Sequence, residues 1–109
     1  MTWDSNKSQL KSDWDKNGYV VVKNFMSSED VSNLRTEIER YISTVAQSVP
    51  ENEVMYEDNE KPETLKRLGH MSRYDDYFLK LININQFVNL AETLLGGSVN
   101  PQYCKLFNK

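Results

Sequence analysis

Residues 17–45 read NGYVVVKNFMSSEDVSNLRTEIERYISTV, and this stretch contains the strongest structural signals in the chain. The run YVVVK at residues 19–23 is rich in β-branched side chains, which predicts a short strand buried on both faces. Farther along, apolar residues recur at the spacing of one helix face. These positions are Val31, Leu34, Ile38, Tyr41, Ile42 and Val45. The stretch therefore predicts a strand, a turn and a long helix that packs on a core.

Side chains at residues 26–31 predict where the long helix begins. Ser27 can accept a hydrogen bond from the backbone of the first turn, and Asp30 follows three residues later, where a carboxylate can reach back. Met26 can pack against Val31 across the cap. Acidic residues in the first turn also suit the positive end of the helix dipole.

The segment before residue 17 predicts an amphipathic helix over residues 3–16. Trp3, Leu10 and Trp14 fall on one stripe of such a helix, and charged residues occupy the opposite side. Asn17-Gly18 then supplies a left-handed stop.

The middle of the chain is acidic. Residues 51–63 hold six acids against one base, which is typical of a solvated loop, here flanking a short strand at residues 54–56. A metal-binding carboxylate cluster is the alternative, but the spacing of a calcium loop is missing. Residues 64–71 fit a strand or a short helix equally well.

The last third predicts two helices and a strand. Residues 75–82 predict a helical turn or two, and Asn85 is predicted to cap a helix that ends at Gly96-Gly97. Residues 99–108 predict a strand with Tyr103, Lys105 and Phe107 on one face and Cys104 and Leu106 on the other. Such a strand needs neighbours on both edges. The chain as a whole predicts an α+β fold in a single domain.

Composition excludes several kinds of site. The 109 residues include one His and one Cys, which excludes an internal disulfide and a Cys/His zinc module. The two-His, one-carboxylate iron triad fails for the same reason. No residue is therefore predicted to ligate a metal. No catalytic residue is predicted either, for a reason given with the family resemblance below.

Net charge and hydropathy limit the partners and the cellular location that we expect for this protein. The net charge of −3 argues against a duplex DNA partner, which needs a basic face. No apolar run approaches the roughly 20 residues that cross a bilayer, and the N-terminus does not resemble a signal peptide. We expect no nucleic-acid partner, no membrane partner and a cytoplasmic location.

The order of segments resembles the opening of the phytanoyl-CoA dioxygenase family. The residues that carry the resemblance are Asn17-Gly18-Tyr19-Val20-Val21-Val22-Lys23-Asn24-Phe25, Ser27-Ser28-Glu29-Asp30-Val31 and Leu34-Arg35-Thr36-Glu37-Ile38. Later segments agree in kind and order, among them Tyr74-Asp75-Asp76-Tyr77-Phe78 and Cys104-Lys105-Leu106-Phe107-Asn108-Lys109. Each motif alone is generic, and their conjunction is more specific.

The resemblance implies a non-haem Fe(II), 2-oxoglutarate-dependent dioxygenase on a double-stranded β-helix, a jelly-roll of the cupin kind, with a helical flank. The intact enzyme would hydroxylate a small-molecule substrate and release succinate and CO2. The family's iron ligands are a His-x-Asp pair and a distal His, whereas His70 is followed here by Met71-Ser72. Residues 1–109 are therefore expected to be a single partial domain, truncated before the iron-binding strands. Neither Fe(II) nor 2-oxoglutarate is expected to bind this chain alone.

The resemblance also names candidate cofactor-binding residues. A basic residue before the Tyr-Asp segment often reaches toward 2-oxoglutarate in this family, and by position that residue is Arg67, or Lys66 if the register slips by one. A solvated charge is the alternative interpretation of Arg67. Lys105, with Tyr103 and Phe107, would face the mouth of the barrel, and simple core or edge packing is the alternative there.

Two residues are interpreted as structural. His70 is predicted to be a partly exposed histidine without a ligand, although it is the only histidine. Cys104 is predicted to be a small buried apolar residue, because no neighbouring cation suggests a lowered pKa of its thiol.

A second hypothesis comes from a different class of function. The chain could be a free-standing α+β interaction module that binds a partner through an open strand edge by β-augmentation. Self-association through that edge would be one form of it. An unrelated α+β domain with an accidental resemblance is the third alternative.

Overall fold

The computed structural model describes residues 3–108, which form five helices and a three-stranded sheet. In chain order the elements are α1 (Lys7–Asn17), α2 (Ser28–Arg40), β1 (Val54–Tyr56), β2 (Leu65–Leu68), α3 (Met71–Tyr74), α4 (Asp76–Ile82), α5 (Asn85–Leu95) and β3 (Leu106–Phe107). Short 3-10 turns cover Trp3–Asn6, Glu51–Glu53 and Pro62–Thr64, and a π-helical turn over Tyr41–Val45 extends α2. Within residues 3–108, none of the helices has the length and apolar character needed to span a membrane.

The three strands are antiparallel, in the order β1-β2-β3. Val54, Leu68 and Leu106 lie opposite one another and form a row on the inner face of the sheet. The row beside it consists of Met55, Arg67 and Phe107. Because neighbouring residues of a strand point to opposite faces, this second row lies on the outer face.

The core lies between the inner face of the sheet and the helices α2, α3 and α4. Its fully or nearly fully buried members are Tyr41, Ala46, Leu65, Leu68, Met71 and Phe78. The ring of Phe78 packs edge-on against Tyr41, with 5.5 Å between centroids, and against Tyr77, at 5.0 Å. Arg40 ties this core together from outside, since it pairs with Glu37 at 2.6 Å and with Asp75 at 2.8 Å.

A second, smaller cluster joins the N-terminal helix to α5. Helix α1 packs on α5, and Phe25 lies between Trp3, at 5.9 Å, and Phe87, at 5.3 Å between ring centroids. The Lys11 ammonium donates to the backbone oxygen of Leu94 at 3.0 Å.

Signals carried by a few adjacent residues are confirmed. The Ser27 hydroxyl accepts from the Asp30 backbone N–H at 3.1 Å, and α2 starts at the next residue. Gly18 ends α1 with a φ of 78°, a left-handed conformation that glycine adopts at little cost. The strand at residues 54–56 is confirmed, and the ambiguous segment 64–71 contains β2 followed by the start of α3.

The prediction of a buried strand at residues 19–23 is wrong. The segment is irregular, and 66% of Tyr19 and 69% of Val21 is exposed. β-Branched residues favour strands mainly through packing against neighbouring strands. Within residues 3–108 no strand lies alongside this segment, so the segment does not form a strand despite its β propensity.

Two further boundaries differ from prediction. The predicted strand at residues 99–108 is reduced to Leu106–Phe107, because β2 offers only a short edge for it to pair with. Asn85 is the first residue of α5 rather than its cap, and Ile84 occupies the cap position without a side-chain hydrogen bond. The cap works through the Ile84 carbonyl, which accepts from the backbone N–H groups of Phe87 and Val88 at 3.0 and 3.1 Å.

The mixed helix-and-sheet fold is thus confirmed. Three antiparallel strands do not make a double-stranded β-helix, so the jelly-roll architecture stays a prediction.

Candidate functional site

The predicted cofactor-binding residues lie on the outer face of the sheet. Arg67 is half-buried in β2 and lies opposite Phe107 of β3. Lys105 is exposed and precedes Phe107 by two residues, so strand alternation puts it on the same side as Arg67. Strand alternation thus predicts that both bases face one surface, although they are 38 positions apart along the chain.

A glycine makes room for the Arg67 side chain. A Cβ atom at Gly69 would lie 2.9 Å from Arg67 Nη1 and 3.3 Å from Glu53 Oε1. The first distance is too short for a real contact, so any side chain at Gly69 would displace the guanidinium. The other terminal nitrogen of Arg67 donates to the backbone oxygen of Asn52 at 2.9 Å, which holds the group above the sheet.

Lys66 is engaged differently from Arg67. Its ammonium lies 3.6 Å from the Glu57 carboxylate, and its backbone oxygen accepts from the Asn108 N–H at 2.8 Å. Among the residues from 3 to 108, Arg67 has no carboxylate within ion-pair distance. Of the two bases that the register left open, only Lys66 lies within ion-pair distance of a carboxylate in this part of the chain, whereas the Arg67 guanidinium and the Glu53 carboxylate both lie beside Gly69.

The structure brings together a polar cluster that sequence reasoning missed. Glu53 is only 7% exposed, and its carboxylate accepts from His70 Nδ1, with oxygens at 2.9 and 3.2 Å. The Tyr74 hydroxyl donates to the same carboxylate at 3.4 Å. The solvated-loop prediction holds for most of residues 51–63 and is wrong for Glu53. The pairing of Glu53 with Gly69 causes the difference, since the Gly69 N–H donates to the Glu53 carbonyl at 2.8 Å.

His70 reaches the cluster through an unusual backbone conformation. Its φ of 48° and ψ of 43° are left-handed, which is uncommon for a residue with a side chain. This conformation breaks the strand alternation directly after β2. His70 is one-third exposed and binds Glu53, as a partly exposed structural histidine would.

The carboxyl pKa of Glu53 reflects opposing influences. Burial raises it, but the hydrogen bond and charge of His70, the Tyr74 hydroxyl and the charge of Arg73 outweigh burial. The pKa of Glu53 therefore lies below its ordinary value of 4.5. The ionised carboxylate is the form that the fold favours.

We expect the Glu53→Gln variant to lose part of the pH dependence of stability. Because the folded pKa of Glu53 is depressed, its stabilising contribution is complete above about pH 4.5 and is lost as the pH falls through the folded pKa. Urea unfolding midpoints measured between about pH 3 and 7 should fall less steeply in acid for Glu53→Gln than for the wild type.

Glu51→Gln is the matched control, because Glu51 belongs to the same 3-10 turn and is exposed. This variant should keep the acid dependence of the wild type. Equal flattening in both variants would contradict the assigned role of Glu53.

Aromatic contacts extend the cluster toward Lys105. The rings of His70 and Tyr103 meet edge-on at 5.1 Å between centroids. The Lys105 ammonium lies 4.4 Å from the centre of the Tyr103 ring, within cation–π range. Lys105 is therefore tied to His70 through Tyr103 rather than extending freely into solvent.

Cys104 lies on the other side of the same segment. It is half-buried against the core, and its backbone oxygen accepts from the Met71 N–H at 2.8 Å. Burial raises the pKa of the thiol. A raised pKa disfavours the reactive thiolate, so Cys104 is a packing residue.

The cluster does not fit the iron centre of a two-histidine triad. Within residues 3–108 no group of three or more His, Cys, Asp or Glu side chains is arranged to hold a metal ion. His70 is the only histidine in the sequence, and its Nδ1 already binds Glu53. We therefore assign no reaction step to a metal held by these residues.

Comparison with known proteins gives one result. A family model described as phytanoyl-CoA dioxygenase (PhyH) matches residues 14–107. Comparisons with curated proteins and with solved structures found no match.

Proposed function

Since the chain belongs to the phytanoyl-CoA dioxygenase family, we propose that it forms the N-terminal flank of an Fe(II)- and 2-oxoglutarate-dependent oxygenase that hydroxylates a small organic molecule. The observation that carries this proposal is the family match, which spans residues 14–107 of the 109. Membership of this family supports an oxidoreductase function in general terms.

In this proposal the iron ligands come from sequence other than these 109 residues. One histidine cannot supply a His-x-Asp pair and a distal histidine. Glu53 and His70, which could each bind metal, are engaged with one another. The contribution of this chain lies instead in shaping the surface beside the reaction centre.

Arg67 would hold a carboxylate of 2-oxoglutarate. Its planar guanidinium matches a carboxylate in a bidentate arrangement, and a backbone contact with Asn52 positions it over Gly69. Lys105 would add a second positive charge on the same face, held by Tyr103. When bound, 2-oxoglutarate supplies two of the electrons that reduce dioxygen and leaves as succinate and CO2.

Iron binding tests the proposal. The 109-residue chain should not bind Fe(II) stoichiometrically under anaerobic conditions, whereas the product of the complete reading frame should bind one Fe(II) per chain. The His70→Gln variant of the longer product should bind iron as the wild type does, because His70 is not a ligand in this proposal.

Either of two results would overturn the proposal. One is stoichiometric, tight Fe(II) binding by the 109-residue chain, and the other is loss of iron binding in the longer His70→Gln product.

As a second candidate function we propose association through an open strand edge by β-augmentation, because the N–H and C=O of Phe107 point away from β2.

A further inference from the structure

His70 connects two parts of the chain that are far apart in sequence. On one side its Nδ1 donates to the Glu53 carboxylate, with oxygens at 2.9 and 3.2 Å. On the other side its ring meets the Tyr103 ring edge-on, with 5.1 Å between centroids. Because an ionised carboxylate only accepts hydrogen bonds, the contact with Glu53 fixes which nitrogen carries the hydrogen and how the imidazole is turned.

The backbone around His70 reinforces this bridge. The Gly69 N–H donates to the Glu53 carbonyl and the Met71 N–H donates to the Cys104 carbonyl, both at 2.8 Å. Between these two bonds, the left-handed conformation of His70 turns the chain from the end of β2 into α3. Such a conformation persists in a residue with a side chain only when its surroundings hold it. The contacts on both sides of His70 meet that condition.

The position of Lys105 depends on Tyr103. The Lys105 ammonium lies 4.4 Å from the centre of the Tyr103 ring, and the residue is otherwise exposed. Among residues 3–108, no carboxylate lies within ion-pair distance of this ammonium. Tyr103 is itself 50% exposed and precedes β3 in an irregular segment, so the contact with His70 limits how its ring can turn. A lysine side chain without such a contact samples many rotamers.

We propose that His70 is a positioning residue that acts through Tyr103. Its ring, held by Glu53, fixes the Tyr103 ring, which in turn holds the Lys105 ammonium beside a carboxylate of 2-oxoglutarate. The role of Lys105 toward that ligand rests on the proposed function, whereas the arrangement of these side chains does not. Strand alternation predicts that Lys105 faces the same side as Arg67. An ammonium held in one place binds an anion with a smaller loss of side-chain entropy than a free one.

Substitutions at two positions interrupt this arrangement at different points. His70→Asn suits the left-handed backbone, in which asparagine is also common, but it removes the ring that meets Tyr103. Tyr103→Leu removes the other ring of the pair and with it the face on which Lys105 lies. Tyr103→Phe is the matched control, because it keeps the ring and loses only the hydroxyl. Circular dichroism verifies that each variant is folded.

Proton NMR of the 109-residue chain gives a readout that needs neither metal nor 2-oxoglutarate. Protons above the face of an aromatic ring resonate upfield, so the ε-methylene protons of Lys105 should lie upfield of those of an exposed lysine in the wild type and in Tyr103→Phe. This difference should be largely lost in His70→Asn and in Tyr103→Leu. Lys7 is the internal reference, because its ammonium lies 5.5 Å from the centre of the Trp3 ring and should keep its shift in all four proteins.

The affinity for 2-oxoglutarate tests the consequence for the site. In an Fe(II)-loaded enzyme that contains residues 1–109, His70→Asn and Lys105→Gln should each raise the Kd by roughly 3- to 10-fold, the effect of losing one ordinary hydrogen bond. The double variant should bind no more weakly than Lys105→Gln alone, because His70 acts only through Lys105. Tyr103→Phe should keep the wild-type Kd. Titration calorimetry under anaerobic conditions measures these constants.

Three results would overturn the inference. They are wild-type Lys105 protons at the position of a freely exposed lysine, a folded His70→Asn variant whose Lys105 protons remain upfield, and additive losses of affinity in the double variant. A wild-type enzyme that binds neither Fe(II) nor 2-oxoglutarate would instead overturn the proposed function, and the NMR comparison would still decide whether His70 positions Lys105.

Discussion

The Phe78→Ala variant is expected to unfold with a free energy about 3–5 kcal/mol below that of the wild type. Phe78 is 1% exposed and packs edge-on against both Tyr41 and Tyr77. Truncation removes the transfer free energy of a ring and leaves a cavity between α2 and α4. Because small domains have only about 5–15 kcal/mol of stability, the variant should unfold at a much lower urea concentration.

Tyr41→Phe is the matched control from the same contact. The ring of Tyr41 is 1% exposed, and its hydroxyl has no hydrogen-bond partner within the described part of the chain. Burial raises the pKa of Tyr41 to about 12, in line with a hydroxyl in an apolar setting. Since removing an unsatisfied buried hydroxyl relieves its desolvation, Tyr41→Phe should leave the free energy of unfolding unchanged or raise it.

Urea unfolding of the two variants distinguishes the contribution of ring packing from that of the buried hydroxyl to the stability of this core. A loss for Tyr41→Phe as large as that for Phe78→Ala would show that the hydroxyl makes an essential hydrogen bond. A loss below about 1 kcal/mol for Phe78→Ala would contradict its place at the centre of the core.

Under the proposed function, the Arg67→Gln variant is expected to raise the KM for 2-oxoglutarate of an active enzyme that contains residues 1–109. Loss of a charge-assisted hydrogen bond costs about 1.5–3 kcal/mol, which corresponds to roughly a 10- to 100-fold increase. The kcat should change little, because Arg67 would contribute binding rather than chemistry. Steady-state assays of 2-oxoglutarate consumption measure both constants.

Lys66→Gln is the neighbouring control. Lys66 loses only an exposed pair with Glu57 at 3.6 Å, and such surface pairs contribute at most about 1 kcal/mol to stability. Its KM for 2-oxoglutarate should stay within a few-fold of the wild-type value. Equal increases for both variants would indicate a diffuse charge effect, and a larger increase for Lys66→Gln would assign the role to Lys66.

The sequence predicted some residues of the candidate site and missed others. Arg67 and Lys105 were predicted as cofactor-binding residues from a resemblance in segment order, and the structure places Arg67 in β2 and Lys105 directly before β3. Glu53 was hidden among six acids in residues 51–63, and no local pattern distinguished it. Its burial depends on pairing with Gly69 and His70, which lie 16 and 17 residues away.

The fold likewise has features that the sequence predicted and features that it did not. The start of α2, the glycine end of α1 and the helical faces followed from the sequence, because each depends on hydrogen bonds among residues three or four apart. Residues 19–23 and 99–108 show the opposite case. Both have strand composition, yet one is irregular and the other forms a two-residue strand.

The sequence by itself determined where α2 begins, where α1 ends and which family the segment order resembles. Only the tertiary structure decided which strand-like segments pair, which acid is buried and which of the two neighbouring bases, Lys66 or Arg67, forms an ion pair within residues 3–108. The physical reason is the range of the interactions. A helix cap satisfies its hydrogen bonds within one turn, whereas a strand or a buried carboxylate depends on partners that the chain brings close only by folding.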